Sequence, residues 1–325
     1  MSMLSIRHFV AAALAAVTAL AAPPVSAQEY PHKPITLVVP FGPGSGTDQQ
    51  ARLLAQLLAD EFKVPVVVDN KAGASGFLAA QYVAKAPPDG YTMLVTTNTT
   101  HAANEHLFKK LPYDPVKDFS PVSLLSRGQM LLVVRPDSPH KSLADLVAAA
   151  RKAPGKLNFG SGSSSSRVAS ELLKQMAHLD MVNVPYKSNP LAITDLIGGQ
   201  IDFMFADSST GLPQVQGGKL RALAVSGAKR LKATPEIPTV AEAGVPGYDM
   251  SYWTAAYLPP GASPAIVRRL NQALNKVSES PVSKAFQEKT SGEVFLSTPE
   301  GLASFQADES RKWGQVIRAA GIQPE

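Results

Sequence analysis

The sequence predicts an α/β protein of two lobes, each built around a parallel sheet. Three observations predict it. Apolar runs of strand length lack the alternation of a half-exposed strand, glycine- or serine-rich turns follow them, and helical periodicity follows the turns. Ile35 to Pro40 (ITLVVP) is the first such run, Gly42 to Gly46 the first such turn. From Asp48 the apolar residues Ala51, Leu53, Leu54, Leu57, Leu58 and Phe62 recur at mostly three- and four-residue spacing.

The remaining elements repeat the pattern. Val64 to Val68 reads as a strand, Gly73 and Gly76 as a turn, Leu78 to Val83 as a helix, and Tyr91 to Val95 as a strand after Pro88-Asp89-Gly90. That makes a βαβαβ unit. A second set follows. Met130 to Val134 is a strand, and Ser142 opens a helix. The strand Leu157 to Phe159 enters the run Gly160 to Ser166, with a helix behind it from Val168 to Met176. Strands at 181–184, 201–205 and 220–225 and a helix at 192–197 complete it. Beyond residue 250, helices are expected from Ser263 and around Val282, and a strand at Glu293 to Leu296. Thr298 is the expected N-cap of a final amphipathic helix, with Pro299 in first position.

The first 27 residues read as an export leader. Arg7 supplies a positive start, Phe9 to Ala22 is apolar, and Val25-Ser26-Ala27 offers the small residues of a cleavage site. The apolar run falls short of the roughly 20 residues that span a bilayer. Without the leader and its Arg7, 298 of the 325 residues remain and the formal net charge falls from +5 to +4. That length exceeds what one core usually serves. The lobes are expected at 28–128 plus 251–325 and at 129–250. The chain has no cysteine, which excludes disulfides, thiolate metal sites, a cysteine nucleophile and lipid anchoring through cysteine. Its lysines and arginines are scattered, so no nucleic-acid partner is expected. No cofactor or metal is expected either.

In open α/β sheets, ligands bind beyond the carboxyl ends of the strands. Two turns belong there. One is Phe41-Gly42-Pro43-Gly44-Ser45-Gly46-Thr47-Asp48; the other holds Ser161, Ser163, Ser164, Ser165 and Ser166. Both join a buried strand to a helix N-terminus, where backbone N–H groups and a partial positive charge suit an anion. The competing reading of the first is a plain turn with Thr47 or Asp48 as N-cap. Arg167 stands beside the serine run and has the planar fork to pair a second carboxylate, or is an exposed first-turn residue. Thr97, Asn98 and His101 follow one strand, Tyr186 and Lys187 another, and Asp207 a third, so all are expected at the same rim, with a capping or surface role as the competing reading of His101. Trp253 either meets a ligand or fills core. Thr47 stands where a dinucleotide fingerprint needs its last glycine, and no G-x-x-x-x-G-K-[ST] or G-x-S-x-G occurs. A secreted hydrolase using His101 and a serine of the 161–166 run remains as an alternative that needs a triad the sequence does not announce.

The chain resembles the Bug receptors, the extracytoplasmic solute-binding proteins of tripartite tricarboxylate transporters. The likeness runs from Tyr30 to about Gly321. It rests on Tyr30-Pro31, Lys33-Pro34-Ile35, Val38-Val39-Pro40-Phe41, Thr47-Asp48, Ala51-Arg52, Val68-Asp69-Asn70, Pro88-Asp89-Gly90-Tyr91-Thr92, Leu111-Pro112-Tyr113-Asp114-Pro115 and Asp118-Phe119. Further on it rests on Val184-Pro185-Tyr186-Lys187, Asp195-Leu196, Gly198-Gly199-Gln200, Asp202 and Gly218-Lys219-Leu220-Arg221-Ala222-Leu223-Ala224-Val225. The resemblance implies a type II-like periplasmic binding protein fold, with the ligand clamped between two Rossmann-like lobes that close by hinge motion. It implies a carboxylate held by Phe41 to Asp48 and by Ser161 to Ser166. It also implies membrane transporter subunits as partners and a monomeric receptor free in the periplasm, not an enzyme. Use of the same closure by a signalling partner is the other role such a receptor fills. Arg167 stands where relatives often carry histidine, Ser163 to Ser166 where their loop is richer in glycine, Ser188 at a common glycine, and Lys71-Ala72 for Arg-Pro. With Arg167 and the serine run, a dicarboxylate, aliphatic or aromatic, is the expected ligand, and a monocarboxylate is the alternative.

Overall fold

β1 (Ile35–Val39) lies between β2 (Val66–Asn70) and β3 (Thr92–Thr97), parallel to both, with Leu37 aligned to Val68 on one side and Met93 on the other. The computed structural model describes residues 30–325, so the leader reading lies outside the described residues. α1 (Gly46–Phe62) joins β1 to β2 and buries Ala51, Leu54, Leu58 and Phe62. Fully burying a leucine there contributes about 2 kcal/mol. Lys63, at φ 58°, ends the helix in the left-handed region. α2 (Phe77–Ala84) joins β2 to β3. After β3 a five-residue π turn, Thr99–Ala103, runs into the short helix α3 (Asn104–Leu107).

β4 (Ser120–Val134) is 15 residues long and changes partners part-way. Up to Gln129 it pairs antiparallel with β9 (Ser251–Leu258), which in turn pairs with β3. From Met130 it pairs antiparallel with β7 (Phe203–Asp207) and β8 (Arg221–Val225). Beyond β7 lie β5 (Asn158–Ser161) and β6 (Val182–Pro185), both parallel neighbours in the order β7-β5-β6. The short β10 (Glu293–Val294) pairs with β4 at Ser126 and Arg127. The period-2 rule of a strand buried on both faces is visible along β4. Met130, Leu132 and Val134 enter the larger core with Phe203 and Phe205, while Leu131 and Val133 enter a second cluster with Ile193, Leu196 and Met204.

The helices of the second set are α4 (Leu143–Lys152), α5 (Ser164–Met176), α6 (Asn189–Ile197) and α7 (Ser208–Gln216). α8 (Pro264–Ser278), α9 (Pro281–Lys289) and α10 (Pro299–Ala319) close the chain. Thr298 caps α10 as expected, accepting from the Gly301 N–H at 3.0 Å. Four readings change. α1 is capped by Ser45, not by Thr47 or Asp48, because the Ser45 hydroxyl accepts the Asp48 N–H. α5 starts at Ser164 rather than Val168, since Ser163 and Ser166 form a reciprocal capping box and the serine run becomes its first turn. The first half of β4 and all of β9 are strands that the apolar-run criterion did not find; Ser123, Ser126 and Thr254 interrupt their apolar residues. The strand expected at Glu293 to Leu296 shortens to Glu293–Val294.

Candidate functional site

The N-termini of α1, α5, α6 and α7 converge on one enclosed cavity, reached through Ser45, Gly46 and Thr47, through Ser163 and Ser165, through Asn189, and through Asp207 and Ser209. Two glycines permit this approach. A Cβ on Gly46 would collide with the Ser209 hydroxyl, and one on Gly162 would collide with the backbone of Ser188 and Asn189. The rest of the wall comes from Phe41, Gln50, Thr97, Ser126, Tyr252 and Thr254, and from Phe286, Gln287 and Thr290 near the end of α9. Its free volume is about 30 Å³. Phe41, Gly162 and Ser163 also line an outer compartment of about 290 Å³, with Gly73, Ser75, Ser161, Ser164, Arg167, Tyr186 and Lys187. A wider depression of about 500 Å³ lies on the surface by Glu171, Lys174 and His178, but it is open and no helix N-terminus points into it.

The turn of residues 41–48 is held from behind. Asp48 accepts from the Gly44 N–H at 2.8 Å, from Arg52 Nε at 3.0 Å and from Asn70 Nδ2 at 2.9 Å, and Asn70 Nδ2 also reaches the Phe41 carbonyl at 2.9 Å. Burial opposes ionisation of Asp48, yet the hydrogen bonds from Arg52, Gly44 and Asn70 outweigh it and hold its carboxyl below the usual value. Asp48 therefore positions the turn, and neither it nor Gly42 nor Gly44 lines the cavity. Gly44, at φ +80°, supplies the left-handed residue that the turn needs.

The serine run is tied to the segment after β3. Asn98 Nδ2 donates to Ser165 Oγ at 2.8 Å, while Asn98 Oδ1 accepts from the Trp253 N–H at 3.3 Å. Ser164 Oγ donates to Asn104 Oδ1 at 2.8 Å. Ser166 is fully buried and bonds within its own capping box. Asn98 is likewise buried and off the cavity wall, so it positions Ser165.

His101, expected at the rim, is instead enclosed in the aromatic core. Its ring stacks on Tyr257 at 3.9 Å and meets Phe119 edge-on at 4.6 Å. Its Nδ1 bonds Thr100 Oγ1 at 2.8 Å and its Nε2 has no hydrogen-bond partner, so it pairs with no serine or carboxylate. Burial pushes its pKa down to about 3. The small residues around position 101 let the chain turn inward, which the sequence pattern did not indicate. Trp253 is core too, edge-on to Phe305 and donating to Glu309 Oε2 at 3.0 Å.

Asp207 and Asn189 form the opposite wall. Asp207 occupies the N-cap of α7, but its carboxylate makes no cap hydrogen bond and accepts instead from Asn189 Nδ2 at 2.8 Å. Burial pushes the Asp207 carboxyl up to about 6, with the Asn189 bond acting the other way. Asn189 Oδ1 is buried and without a partner among the described residues, and Ser209 Oγ is buried beside the Tyr252 hydroxyl. In the outer compartment, Arg167 pairs with Glu325 at 2.5 Å through one terminal nitrogen, and its Nε has no partner. Tyr186 donates to Asp195 at 2.9 Å, and burial raises its pKa to about 12. Lys187 is exposed and makes no ion pair.

Phe41, Ser45, Gly46, Thr47, Thr97, Ser163, Ser165 and Asp207 are thus brought together inside, and Ser161, Ser164, Arg167, Tyr186 and Lys187 just outside. Sequence reasoning missed Asn189 and Ser209. A signal for Ser209 was present, since Ser208-Ser209-Thr210 is a third hydroxyl-rich turn between an apolar run and a helix. Tyr252, Thr254 and Gln287 carry no such signal. Among the described residues, no group of three or more histidine, aspartate or glutamate side chains is placed to hold a metal ion, and no helix is long and apolar enough to cross a membrane.

Residues 50–322 match the tripartite tricarboxylate transporter family receptor. The chain is 35% identical over 308 residues to Protein BugT of Bordetella pertussis, covering 94% of each chain. It is similar in structure to Rpa4515 of R. palustris solved with adipate (TM-score 0.89, 35% identity, 91% of this chain and 100% of that one). It is also similar to MatC from Rhodopseudomonas palustris with bound malate (TM-score 0.85, 32% identity, 89% and 100%). These neighbours are two-lobe periplasmic solute-binding proteins, and the mixed α/β sheet described above is theirs. The chain belongs to the tripartite tricarboxylate transporter receptor family, as a Bug-type solute-binding protein.

Proposed function

We propose that the chain captures a small organic carboxylate in the inner cavity and presents it to the membrane subunits of a tripartite tricarboxylate-type transporter, from the periplasm and after loss of its leader. The observation that carries the reading is the meeting of four helix N-termini on a wall that contains no lysine, arginine or histidine. Each N-terminus favours an anion by about 0.3–1 kcal/mol, and up to about 2 kcal/mol when partly buried. Four together with serine and threonine hydroxyls supply what a carboxylate needs without a fixed cation.

The outer compartment supports a dicarboxylate. Arg167 and Lys187 stand there, one compartment away from the helix N-termini, at a place suited to a second carboxylate. Adipate in the R. palustris protein and malate in MatC are both dicarboxylates. The proposed lobes are residues 28–128 plus 251–325 and residues 129–250, with the change of partners along β4 at Gln129 and Met130 as the crossing. A free volume of about 30 Å³ holds only about two waters by the measure in which one needs roughly 10–15 Å³, so ligand entry requires the lobes to part and reclose around it.

Titration calorimetry of the leaderless chain with adipate, malate, succinate, benzoate and acetate tests the reading. At least one of them binds with a Kd of about 1 μM or so, near −8 kcal/mol. Silence across such a panel, with a folded protein, contradicts it.

A further inference from the structure

The inner cavity is chemically two-sided. One side is donors: the first turns of α1 and α5 with Ser45, Thr47, Ser163 and Ser165. The other side is acceptors. Asp207 turns away from its own helix, which it does not cap, and Asn189 Nδ2 donates to it at 2.8 Å. That bond fixes the Asn189 amide with Oδ1 as an acceptor, and Oδ1 has no partner. Ser209 Oγ, on the same wall, is a hydroxyl that can donate or accept and lies by the Tyr252 hydroxyl. Asn189 is 3% exposed, so its amide oxygen is shielded from bulk solvent. A buried polar group left unpaired costs about 1–3 kcal/mol, and such groups in a binding cavity mark what the ligand brings.

A plain carboxylate brings only acceptors. Against the donor side it fits; against Asp207 and Asn189 Oδ1 it meets lone pairs with lone pairs. Nor does a neighbouring cation relieve this. Asp207 and Tyr252 are the ionisable residues of the inner wall, and Tyr252 is held neutral by burial. With a pKa of about 6, the Asp207 carboxyl is largely ionised at neutral pH. The acceptor side therefore needs a donor.

We infer that the inner cavity selects a carboxylate carrying a hydrogen-bond-donating group on the adjacent carbon, a hydroxyl or an ammonium, which the Asp207–Asn189 wall receives. Asp207 is then a specificity-determining residue of the carboxylate site proposed above, and the inference rests on that reading. The carboxylate sits on the α1 and α5 N-termini, the donor faces Asp207, and any distal group extends past Phe41 toward Arg167.

Calorimetry with two matched sets tests it: succinate, malate and aspartate, then adipate, 2-hydroxyadipate and 2-aminoadipate, as both enantiomers. Within a set that binds, the hydroxy or amino acid is expected to bind at least about tenfold tighter than the plain diacid, because a site built to bond an OH or NH rejects the analogue lacking it. A winning amino acid identifies an ion pair with Asp207, a winning hydroxy acid a neutral donor. Asp207→Asn keeps an acceptor for Asn189 Nδ2 and removes the charge; it should shrink the preference to about threefold or less, as loss of a charged acceptor does. A plain diacid that binds as tightly as its substituted partners overturns the inference and leaves the carboxylate reading standing. So does a preference that Asp207→Asn leaves intact. Silence from all six compounds overturns both.

Discussion

Replacing Gly46 by alanine adds one methyl group where α1 meets α7. The new Cβ lands on the Ser209 hydroxyl, with Ser209 Cβ at 3.5 Å and Asp207 Oδ2 at 3.6 Å as the next neighbours. Gly46 has no positive φ, so alanine meets no backbone strain and slightly favours the helix. The penalty therefore lies in the contact alone. Turning Ser209 off its rotamer costs about 0.5–1.5 kcal/mol, and the general range for an added methylene in a packed site is about 1–3 kcal/mol. In the proposed lobes Gly46 and Ser209 lie on opposite sides of the cleft. Parting the lobes removes the clash, so the penalty falls on the closed, ligand-holding form. Calorimetry should show affinity for the best carboxylate reduced about 5- to 150-fold, the equivalent of that 1–3 kcal/mol. Thermal melting without ligand should move by no more than about 2 °C, well under the several degrees per kcal/mol that a loss of fold stability gives. In a Ser209→Gly background, Gly46→Ala should cost no further affinity. Unchanged affinity in Gly46→Ala alone, or the same loss with and without Ser209→Gly, refutes the reasoning.

Arg167→Ala should weaken adipate by about 10- to 100-fold, in keeping with loss of a charge-assisted bond of about 1.5–3 kcal/mol, and leave a monocarboxylate within a factor of about two, as calorimetry would show. His101 gives the chain an acid limb. Its folded pKa of about 3 lies below the ordinary 6.5, so between those values the unfolded chain binds the extra proton. Stability from this group is complete above about pH 6.5 and is lost as pH falls toward 3, by a few kcal/mol in all, roughly 1.4 per pH unit. His101→Phe keeps the stack on Tyr257 and should flatten the fall of Tm between pH 6 and 4; Thr100 Oγ1 retains Thr96 Oγ1 at 2.6 Å as partner. Asn98→Ala removes the donor to Ser165 and the acceptor for the Trp253 N–H, and denaturant unfolding should show a loss of about 2–6 kcal/mol, at about 1–3 for each of the two stranded buried groups.

The parallel units were legible because a strand buried on both faces leaves a continuous apolar run, as Ile35–Val39 and Phe203–Asp207 do, and because Thr298-Pro299 is a capping pair with one meaning. The family likeness was legible for a different reason, namely many ordered short motifs. β9 was hidden since Thr254 interrupts its apolar residues and its partners β3 and β4 are remote in the chain. At the site, the glycine and serine turns were readable as helix N-termini. Which of their residues face inward was not, because that depends on caps: the Ser45, Ser163 and Ser166 side chains all bond within their own helices' first turns. The acceptor wall was out of reach. Asn189 follows β6 and Asp207 ends β7, and only the parallel order β7-β5-β6 brings the two together.

β9 occupies the place between β3 and β4, although it is synthesised more than a hundred residues after either. A growing chain that has not reached Ser251 therefore holds two incomplete half-sheets whose inner margins are bare. Such non-local pairing assembles slowly, and open strand margins invite pairing with other chains. The sheet closes only when most of the chain has emerged, so one of its last-made strands is the one that joins the two halves.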